Sequence, residues 1–407
     1  MDMLEQAQCA SRPLRIAFVT ETYPPEINGV SLSSERFIRG LVTRRHAIQL
    51  VRPRQHADEC GVAQAAFEEM LVPGLPIPRY PGLRMGLPAK RALIESWSRR
   101  RPDLVHVVTE GPLGWSALKA AEACELPVTS DFRTNFDTYS RHYGVGWLQR
   151  PVFAYLRQFH NRTGRTLVPT EQQRAKLSSA GFVNCEVVAR GVDTRLFNPA
   201  RRSDELRRKW GAGAHDPVVI YVGRLAPEKN LPLLSAAFSA VKQRNSAARL
   251  VLVGDGPARD LLRRAHPDAI FTGTRRGEEL ATCYASADLF AFPSTTETFG
   301  NVTLEAMASG VAVLAFNYAA AAMHIRRGEN GLLAEYADER MFCDMAADVA
   351  TEFALLRELG AAAARTAGQL SWDRVVRDLE GLFLAVAGAG HSHGEESSQI
   401  SLATART

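Results

Sequence analysis

Two cations follow a short apolar run near the middle of the chain. The run at 217–222 is typical of a buried strand, and Gly223, Arg224 and Lys229 follow it just before a helix-like stretch. Arginine binds phosphate oxygens in a bidentate manner, lysine adds a point charge, and a helix N-terminus favours an anion. We therefore interpret Arg224 and Lys229 as candidate phosphate-binding residues. The alternative is that both are ordinary surface cations.

A second polar group follows the apolar run at 289–292. Glu297 lies in a predicted loop, and Glu305 lies about one turn into a helix that begins near Asn301. Carboxylates accept hydrogen bonds from the paired hydroxyls of a sugar or ribose. The free N–H groups at a helix start bind phosphate or sugar oxygens. We expect both glutamates to point into one cleft, together with the backbone of Phe299, Gly300, Asn301 and Val302.

Other sequence features are weaker or exclude a class of protein. Gly29 follows the first predicted strand and permits close backbone approach to an anion, although a glycine in a turn is common. The turn at 254–257 lacks the third glycine of a GxGxxG fingerprint, which disfavours a nicotinamide dehydrogenase. The six cysteines have no metal-ligand spacing, so we interpret them as reduced thiols and expect no metal and no cofactor.

Short apolar runs alternate with helix-like stretches along the chain, and this alternation restarts near residue 217. Such alternation predicts two α/β domains, each with a doubly wound parallel sheet. Ligands of these sheets bind beyond the carboxyl ends of the strands, where the residues above lie. The predicted organisation is an N-terminal domain at 13–197, a C-terminal domain at 198–371, a last helix at 372–387 and a disordered tail at 388–407.

The 407 residues, 46% hydrophobic and 23% charged, have a composition typical of globular domains. No apolar stretch approaches the roughly 20 residues that span a bilayer. The first residues lack the basic and apolar regions of a secretory signal. We therefore expect a cytoplasmic protein.

Basic residues are concentrated in the first half of the chain. Residues 1–195 carry 26 Lys and Arg against 19 Asp and Glu (26 − 19 = +7), and residues 79–101 carry seven basic residues and one acid. With the aromatic and basic stretch at 147–165, this pattern suits an anionic membrane surface. The alternative for residues 79–101 is a solvated helix face, and the alternative for residues 147–165 is a buried helix. No nucleic-acid motif accompanies the basic residues, so we expect no nucleic-acid partner.

Four segments together resemble the retaining glycosyltransferases of family 4. They are RGVDTRLF (190–197), GRLAPEKN (223–230), GDGP (254–257) and FPSTTETFGNVTLEAMASG (292–310). The resemblance covers about residues 14–385 and implies the GT-B fold, with two Rossmann-like domains facing a central cleft. ETYPPEINGV (21–30) and DFRTNFDTY (131–139) look most similar to the bacterial lipid-glycosylating branch. That branch includes phosphatidylinositol and diacylglycerol-glycolipid mannosyltransferases and the sulfolipid synthases.

The resemblance also implies roles for individual residues. Arg224 and Lys229 would hold the donor diphosphate, with Gly29 against it from the N-terminal domain. Glu305 would bind the ribose, and Glu297 the donor sugar. The remaining implied donor-binding positions are Thr272 and Gly273, near the base, and Phe299, Gly300, Asn301 and Val302.

Arg133 departs from the family pattern, because many members have histidine at this position, close to the donor-sugar hydroxyls. Arginine stays charged and cannot act as a neutral partner. We hypothesise that Arg133 contacts the donor sugar or its phosphate, and that it could favour a donor with a carboxylate, such as a hexuronate.

The resemblance implies hexosyl transfer with retention, by front-side attack and without a metal ion. Our first choice is mannose from GDP-mannose, transferred to a lipid or glycolipid by an enzyme that is cytoplasmic or peripheral on the inner face of the cytoplasmic membrane. A UDP-linked glucose, glucuronate or sulfoquinovose donor is the alternative, with a lipid or polysaccharide-precursor acceptor. A nucleotide-sugar-binding pseudoenzyme and an epimerase are the alternatives of another class.

Overall fold

The chain forms two compact units. The first unit runs to Ala189 and resumes at Asp373, and the second runs from Arg190 to Trp372. The boundary near Ala189 lies before the predicted one at 197, because Val192 already donates its backbone N–H to Leu370 O, inside the second unit. The computed structural model describes residues 12–26, 29–56, 58–77, 80–133 and 149–404.

The first unit is built on a seven-stranded parallel sheet. Helices cover the sheet, so its central strands are buried and carry short apolar runs without alternation. Its strands are β1 (Arg15–Val19), β2 (Ala47–Pro53), β3 (Phe67–Val72), β6 (Leu104–Val107), β7 (Val128–Asp131), β8 (Arg165–Val168) and β9 (Cys185–Val187). Their spatial order is β3-β2-β1-β6-β7-β8-β9.

The sequence pattern does not predict β3 or the antiparallel hairpin of β4 (Gly74–Ile77) and β5 (Tyr80–Gly86). Strand β3 lies at the edge of the sheet and contains two adjacent acids, which hide its apolar periodicity. Both acids form ion pairs with arginines of other strands: Glu69 with Arg52 of the adjacent β2, and Glu68 with Arg15 of β1.

Among the described residues of the first unit, five helices precede Arg190, where the second unit begins. Helix α3 begins at Pro112, a position where the missing N–H of proline costs nothing. Glu21, from the loop after β1, accepts a hydrogen bond from Leu113 N at 3.1 Å and so caps this helix. The five helices are α1 (Gly29–Thr43), α2 (Lys90–Arg99), α3 (Pro112–Ala123), α4 (Gln149–His160) and α5 (Glu171–Ser179).

The second unit contains a six-stranded parallel sheet. Its strands are β10 (Val218–Val222), β11 (Arg249–Val253), β12 (Ile270–Gly273), β13 (Leu289–Phe292), β14 (Ala312–Phe316) and β15 (Leu332–Ala334). Their spatial order is β12-β11-β10-β13-β14-β15. All five residues of β10 are buried, which explains the unbroken apolar run at this position.

Helices also alternate with the strands of the second unit. They are α6 (Asp204–Lys209), α7 (Leu231–Arg244), α8 (Arg259–Ala265), α9 (Gly277–Ala285), α10 (Asn301–Ala308), α11 (Ala319–His324), α12 (Glu339–Val349) and α13 (Phe353–Ala367). Two Rossmann-like parallel sheets with their helices confirm the predicted α/β, doubly wound fold class.

The last helix, α14 (Trp372–Thr404), belongs to the first unit from Asp373 onwards. The sequence predicts a helix only to 387 and a disordered tail after it, whereas the helix of the structure continues to Thr404. No proline interrupts this stretch, so no residue type forces the helix to end at 387.

Candidate functional site

The loop after β10 holds both predicted cations of the second unit. Gly223 has φ +149°, and residues Pro227–Lys229 form a short 3₁₀ turn before α7 begins. Arg224 is partly exposed and forms an ion pair with the buried Glu228, one turn further along. The carbonyl of Arg224 also accepts a hydrogen bond from Tyr221 Oη at 3.2 Å. The sequence analysis missed Glu228, although its spacing from Arg224 is that of a helical ion pair.

Lys229 is brought into contact with the predicted glutamate that follows β13. Its Nζ lies 2.5 Å from Glu297 Oε1, and Ser294 Oγ donates to the same oxygen at 2.7 Å. The two side chains are 20% and 15% exposed, so this ion pair is only partly shielded from solvent. The predicted cation and the predicted carboxylate both follow the carboxyl ends of their strands, β10 and β13, and the structure brings them into contact.

The segment after Glu297 leads into α10. Gly300 has φ +90°, a conformation that favours glycine, and Asn301 is the first helical residue. Phe299 is only 3% exposed, and its carbonyl accepts a hydrogen bond from Ala320 N at 2.8 Å. Among the described residues, the buried Asn301 Oδ1 has no hydrogen-bond partner. The N–H groups at this helix start, including that of Val302, suit an anionic or hydroxyl-rich ligand.

Glu305 lies within α10 in a more enclosed environment than Glu297. Tyr284 Oη donates a hydrogen bond to Glu305 Oε2 at 3.1 Å. Burial raises the pKa of Glu305 to about 7, and the hydrogen bond from Tyr284 offsets only part of this effect. Burial also raises the pKa of Tyr284, so its hydroxyl stays a donor.

Thr272 and Gly273 end β12, next to the GDGP turn. Gly273 O accepts a hydrogen bond from Gly254 N at 2.9 Å, and Thr272 Oγ1 donates to the same carbonyl at 3.0 Å. A Cβ atom on Gly273 would have no neighbour within 4 Å. Both predicted residues therefore lie at the end of the sheet that also holds Arg224 and Glu297.

Gly29 and Arg133 belong to the first unit. Gly29 is the first residue of α1, and its carbonyl accepts a hydrogen bond from Ser33 Oγ at 2.5 Å. Asn28, the residue before Gly29, lies outside the described residues.

Arg133 follows β7 and forms a buried ion pair with Asp131. Its guanidinium also lies over the Phe37 ring, 5.3 Å from the centroid. Burial alone would raise the pKa of Asp131, but the charges of Arg133 and His106 outweigh it and hold the pKa at about 2. Arg133 Nη1 is buried and has no hydrogen-bond partner among the described residues. The ion pair of Arg133 with Asp131 was not predicted from the sequence, although the two residues are only two positions apart.

Among the described residues of the basic region at 79–101, four cations contact other groups of the protein, and Arg79 lies outside the described residues. Arg84 donates to Gln55 O and Gly74 O, and Arg101 donates to Cys124 O and Glu125 O. Arg99 and Arg100 form ion pairs with Glu95 and Glu68 and are exposed, as are Lys90 and Arg91.

The helix of the aromatic stretch at 147–165 has one buried face, whereas most of its other described residues are exposed. Phe159 is fully buried, Phe153 packs edge-on against Phe182 at 5.2 Å between centroids, and Tyr155 is 38% exposed. Trp147 lies outside the described residues. Two of the aromatics thus follow the alternative of a buried helix.

Across the part of the chain that the structure describes, no group of three or more His, Cys, Asp or Glu side chains could hold a metal ion. Within the same residues, no helix has the length and apolarity needed to cross a membrane.

Comparison with known families accounts for most of the chain. A family model described as Glycosyltransferase Family 4 matches residues 27–196, and one described as Glycosyl transferases group 1 matches residues 216–352. The first match ends at residue 196 and the second begins at residue 216, so each match falls mainly within one of the two units.

Two curated relatives match over much of the sequence. A GDP-mannose-dependent alpha-mannosyltransferase of Corynebacterium glutamicum is 33% identical over 90% of this chain and 88% of the relative. The sulfoquinovosyl transferase SQD2 of Arabidopsis thaliana is 32% identical over 75% of this chain and 60% of the relative.

A solved structure supports the fold. Sucrose-phosphate synthase from Thermosynechococcus elongatus superposes with a TM-score of 0.75 over 92% of this chain and 100% of that structure, at 17% identity. The resemblance is therefore one of fold, and the architecture is GT-B. By family match, by relatives and by fold, the chain belongs to glycosyltransferase family 4 and is a hexosyltransferase.

Proposed function

We propose that the enzyme transfers a hexosyl unit from a nucleotide sugar to a lipid or glycolipid acceptor, with retention and without a metal ion. The observation that carries this proposal is the contact between Lys229 and Glu297 where two parallel strands end. A diphosphate needs cations, and a sugar needs hydrogen-bond acceptors, in the same place.

GDP-mannose is the first choice of donor, because the Corynebacterium glutamicum relative and two mycobacterial relatives are named GDP-mannose-dependent mannosyltransferases. The Arabidopsis relative is named a sulfoquinovosyl transferase, and one of Streptococcus pneumoniae an alpha-monoglucosyldiacylglycerol synthase. A UDP-linked glucose, glucuronate or sulfoquinovose donor is therefore the second candidate.

In this proposal Arg224 and Lys229 neutralise the diphosphate as it leaves. Glu228 and Glu297 hold the two cations in place before the donor binds. Such preorganised charges stabilise the transition state without reorganisation, and removing one typically costs about 2.7–4 kcal/mol of barrier. They would do so without a divalent ion.

The remaining roles follow the same proposal. Glu297 binds the donor-sugar hydroxyls, and Glu305 binds the ribose. The backbone of Phe299, Gly300, Asn301 and Val302 assists, with Thr272 and Gly273 near the base. In the first unit, Gly29 contacts the diphosphate, and Arg133 contacts the donor sugar.

For the reaction, we propose front-side attack by the acceptor hydroxyl. The new glycosidic bond forms on the face that the diphosphate leaves, and a donor phosphate oxygen takes the acceptor proton. The anomeric configuration is thereby kept. Arg224 and Lys229 act on the leaving group alone.

In this proposal the acceptor binds to the first unit. The Streptococcus pneumoniae relative is named an alpha-monoglucosyldiacylglycerol synthase, which favours a lipid or glycolipid acceptor. Exposed Lys90 and Arg91 would attract an anionic lipid surface, so we propose a peripheral location on the inner face of the cytoplasmic membrane.

The first test is nucleoside diphosphate release from GDP-mannose, UDP-glucose, UDP-glucuronate and UDP-N-acetylglucosamine, with EDTA, and with or without a bacterial lipid extract. We expect release from one donor, increased by lipid, and an unchanged anomeric configuration by NMR. Release from none of the four would contradict the proposal.

Site variants sharpen this test. We expect Lys229→Ala and Arg224→Ala each to lower turnover by about a hundredfold or more. Lys209→Ala is the matched control, since Lys209 pairs with Glu205 on an exposed helix. Near-normal turnover in both site variants would reject the site assignment.

A further inference from the structure

The segment RGVDTRLF has no role in the function proposed above. It begins at Arg190, the first residue of the second unit, where the chain arrives from the first unit. The chain leaves the second unit again at Trp372. Residues 190–193 and 370–372 are together called the crossing segments here.

The crossing segments are bonded side by side. Val192 N donates to Leu370 O at 2.9 Å, and Val192 forms a parallel bridge with Ser371. A Cβ atom on Gly191 would lie 2.7 Å from Trp372 N, so only glycine permits this approach. Asp193 Oδ1 accepts hydrogen bonds from the N–H groups of the next residues, which fixes the turn that follows.

Arg190 connects the crossing segments to the loop at 294–300, called the donor loop here. Its side chain is buried, and its guanidinium lies over the Phe299 ring, 5.9 Å from the centroid. This distance is within the range of a cation–π interaction. The His324 ring meets the same phenylalanine edge-on at 6.2 Å.

Phe299 is therefore fixed by its ring and by its backbone. Its carbonyl accepts from Ala320 N, and the next residue, Gly300, has a positive φ that sets the direction of α10. Glu297, two residues earlier, contacts Lys229. A shift of the Phe299 ring would move the glutamate that the proposed function assigns to the donor sugar.

We infer that Arg190 is a positioning residue that couples the donor loop, through Phe299, to the crossing segments. The inference rests on the proposed function, because it requires the donor loop to bind the donor sugar. It gives the RGVD motif a role. Gly191 lets the two crossing segments approach each other, and Arg190 links the position of the donor loop to the position of these segments through its contact with Phe299.

The test compares Arg190→Met, which keeps an unbranched apolar stem but removes the charged guanidinium, with Arg190→Lys and with Arg195→Met. Arg195 belongs to the same motif and is exposed. We expect Arg190→Met to lower kcat/KM for the donor by about tenfold, mainly through an increase in KM. Its affinity for the free nucleoside diphosphate should change less than twofold. Arg190→Lys should recover part of the loss, and Arg195→Met should match the wild type.

Hydrogen exchange supplies a second readout on the unmodified protein. Addition of the nucleotide sugar should slow amide exchange at 190–193 and 370–372 in the wild type and in Arg195→Met, but not in Arg190→Met. If Arg190→Met lowers Tm and leaves the donor kinetics unchanged, Arg190 is a packing residue and the inference is wrong. If Arg190→Met fails to fold, absence of donor-induced protection in the wild type overturns it.

Failure of the proposed function gives a different result. In that case the wild type itself would turn over no nucleotide sugar. Failure of the inference alone leaves the wild type active and the donor KM of Arg190→Met normal.

Discussion

Glu297 and Glu305 are chemically identical side chains in unlike surroundings. Glu297 accepts hydrogen bonds from Lys229 and Ser294, so its negative charge has a cation beside it. Glu305 receives a hydrogen bond from the neutral hydroxyl of Tyr284. Loss of solvent is then the dominant effect on Glu305, and burial raises its pKa to about 7. At the scale of the residue, one carboxylate has a cation as its partner, whereas the other has only a neutral partner and a pKa of about 7.

This difference predicts a pH dependence of stability. Between the ordinary value of 4.5 and about 7, the unfolded state has lost the Glu305 proton while the folded state keeps it. The free energy of unfolding therefore falls as pH rises through this window. We expect Glu305→Gln to remove on the order of 2 kcal/mol of this decline, measured by urea unfolding at pH 5 and pH 8.

Glu358→Gln is the control, because Glu358 lies exposed on α13. Equal pH dependence in the two variants would show that Glu305 titrates as an ordinary glutamate.

At the scale of the element, the carboxyl ends of β10 and β11 come together through glycines. A Cβ atom on Gly254 would lie 1.9 Å from Gly223 O, and Gly254 has φ +137°. The GDGP turn thus packs directly against the turn that carries Arg224. The turn is required for packing, independently of any ligand that it contacts.

We expect Gly254→Ala to separate these two turns, with a loss of about 3 kcal/mol or more in the free energy of unfolding and with loss of turnover. Gly277→Ala is the matched control: Gly277 also has a positive φ, +51°, but no atom within 4 Å of a Cβ. It should cost only about 1–2 kcal/mol, from backbone strain alone. Urea unfolding measures both values, and equal losses would refute the steric argument.

At the scale of the whole molecule, the last helix, α14, packs into the core of the first unit. Leu379 and Phe383 of α14 are fully buried, and the Phe383 ring lies 5.0 Å from the His106 ring of β6. Glu380 forms an ion pair with Arg44 and a hydrogen bond with His46 Nε2 at 2.9 Å. Gly40 of α1 leaves room for Val376, which would lie 2.5 Å from a Cβ at that position. The first unit therefore depends on residues that follow the second unit in sequence.

A chain that ends at Trp372 should consequently lose the stability of the first unit and keep that of the second. We expect faster hydrogen exchange in β1 and β6, with β10 and β13 unchanged. Phe383→Ala should act in the same direction, at a cost of about 3–5 kcal/mol.

A chain that ends at 389 is the control, since Leu379, Glu380 and Phe383 precede that point. Uniform destabilisation of both sheets by the shorter chain would contradict this division of the molecule.

The sequence by itself determined the local elements and the residues at their ends. Buried parallel strands need short apolar runs, and ligand-binding residues follow the carboxyl ends of such strands. Arg224, Lys229, Glu297 and Glu305 could therefore be chosen as candidate ligand-binding residues from their positions alone. The edge strand β3 could not be found in this way, because its acids are stabilised by cations from other strands.

Only the tertiary structure decided which residues meet. Lys229 and Glu297 are 68 positions apart, and no local pattern encodes their contact. The same holds for Arg190 and Phe299, and for α14 and the first unit. Local propensity depends on neighbours within a few residues, whereas these contacts depend on strand order and on side-chain packing across the whole unit.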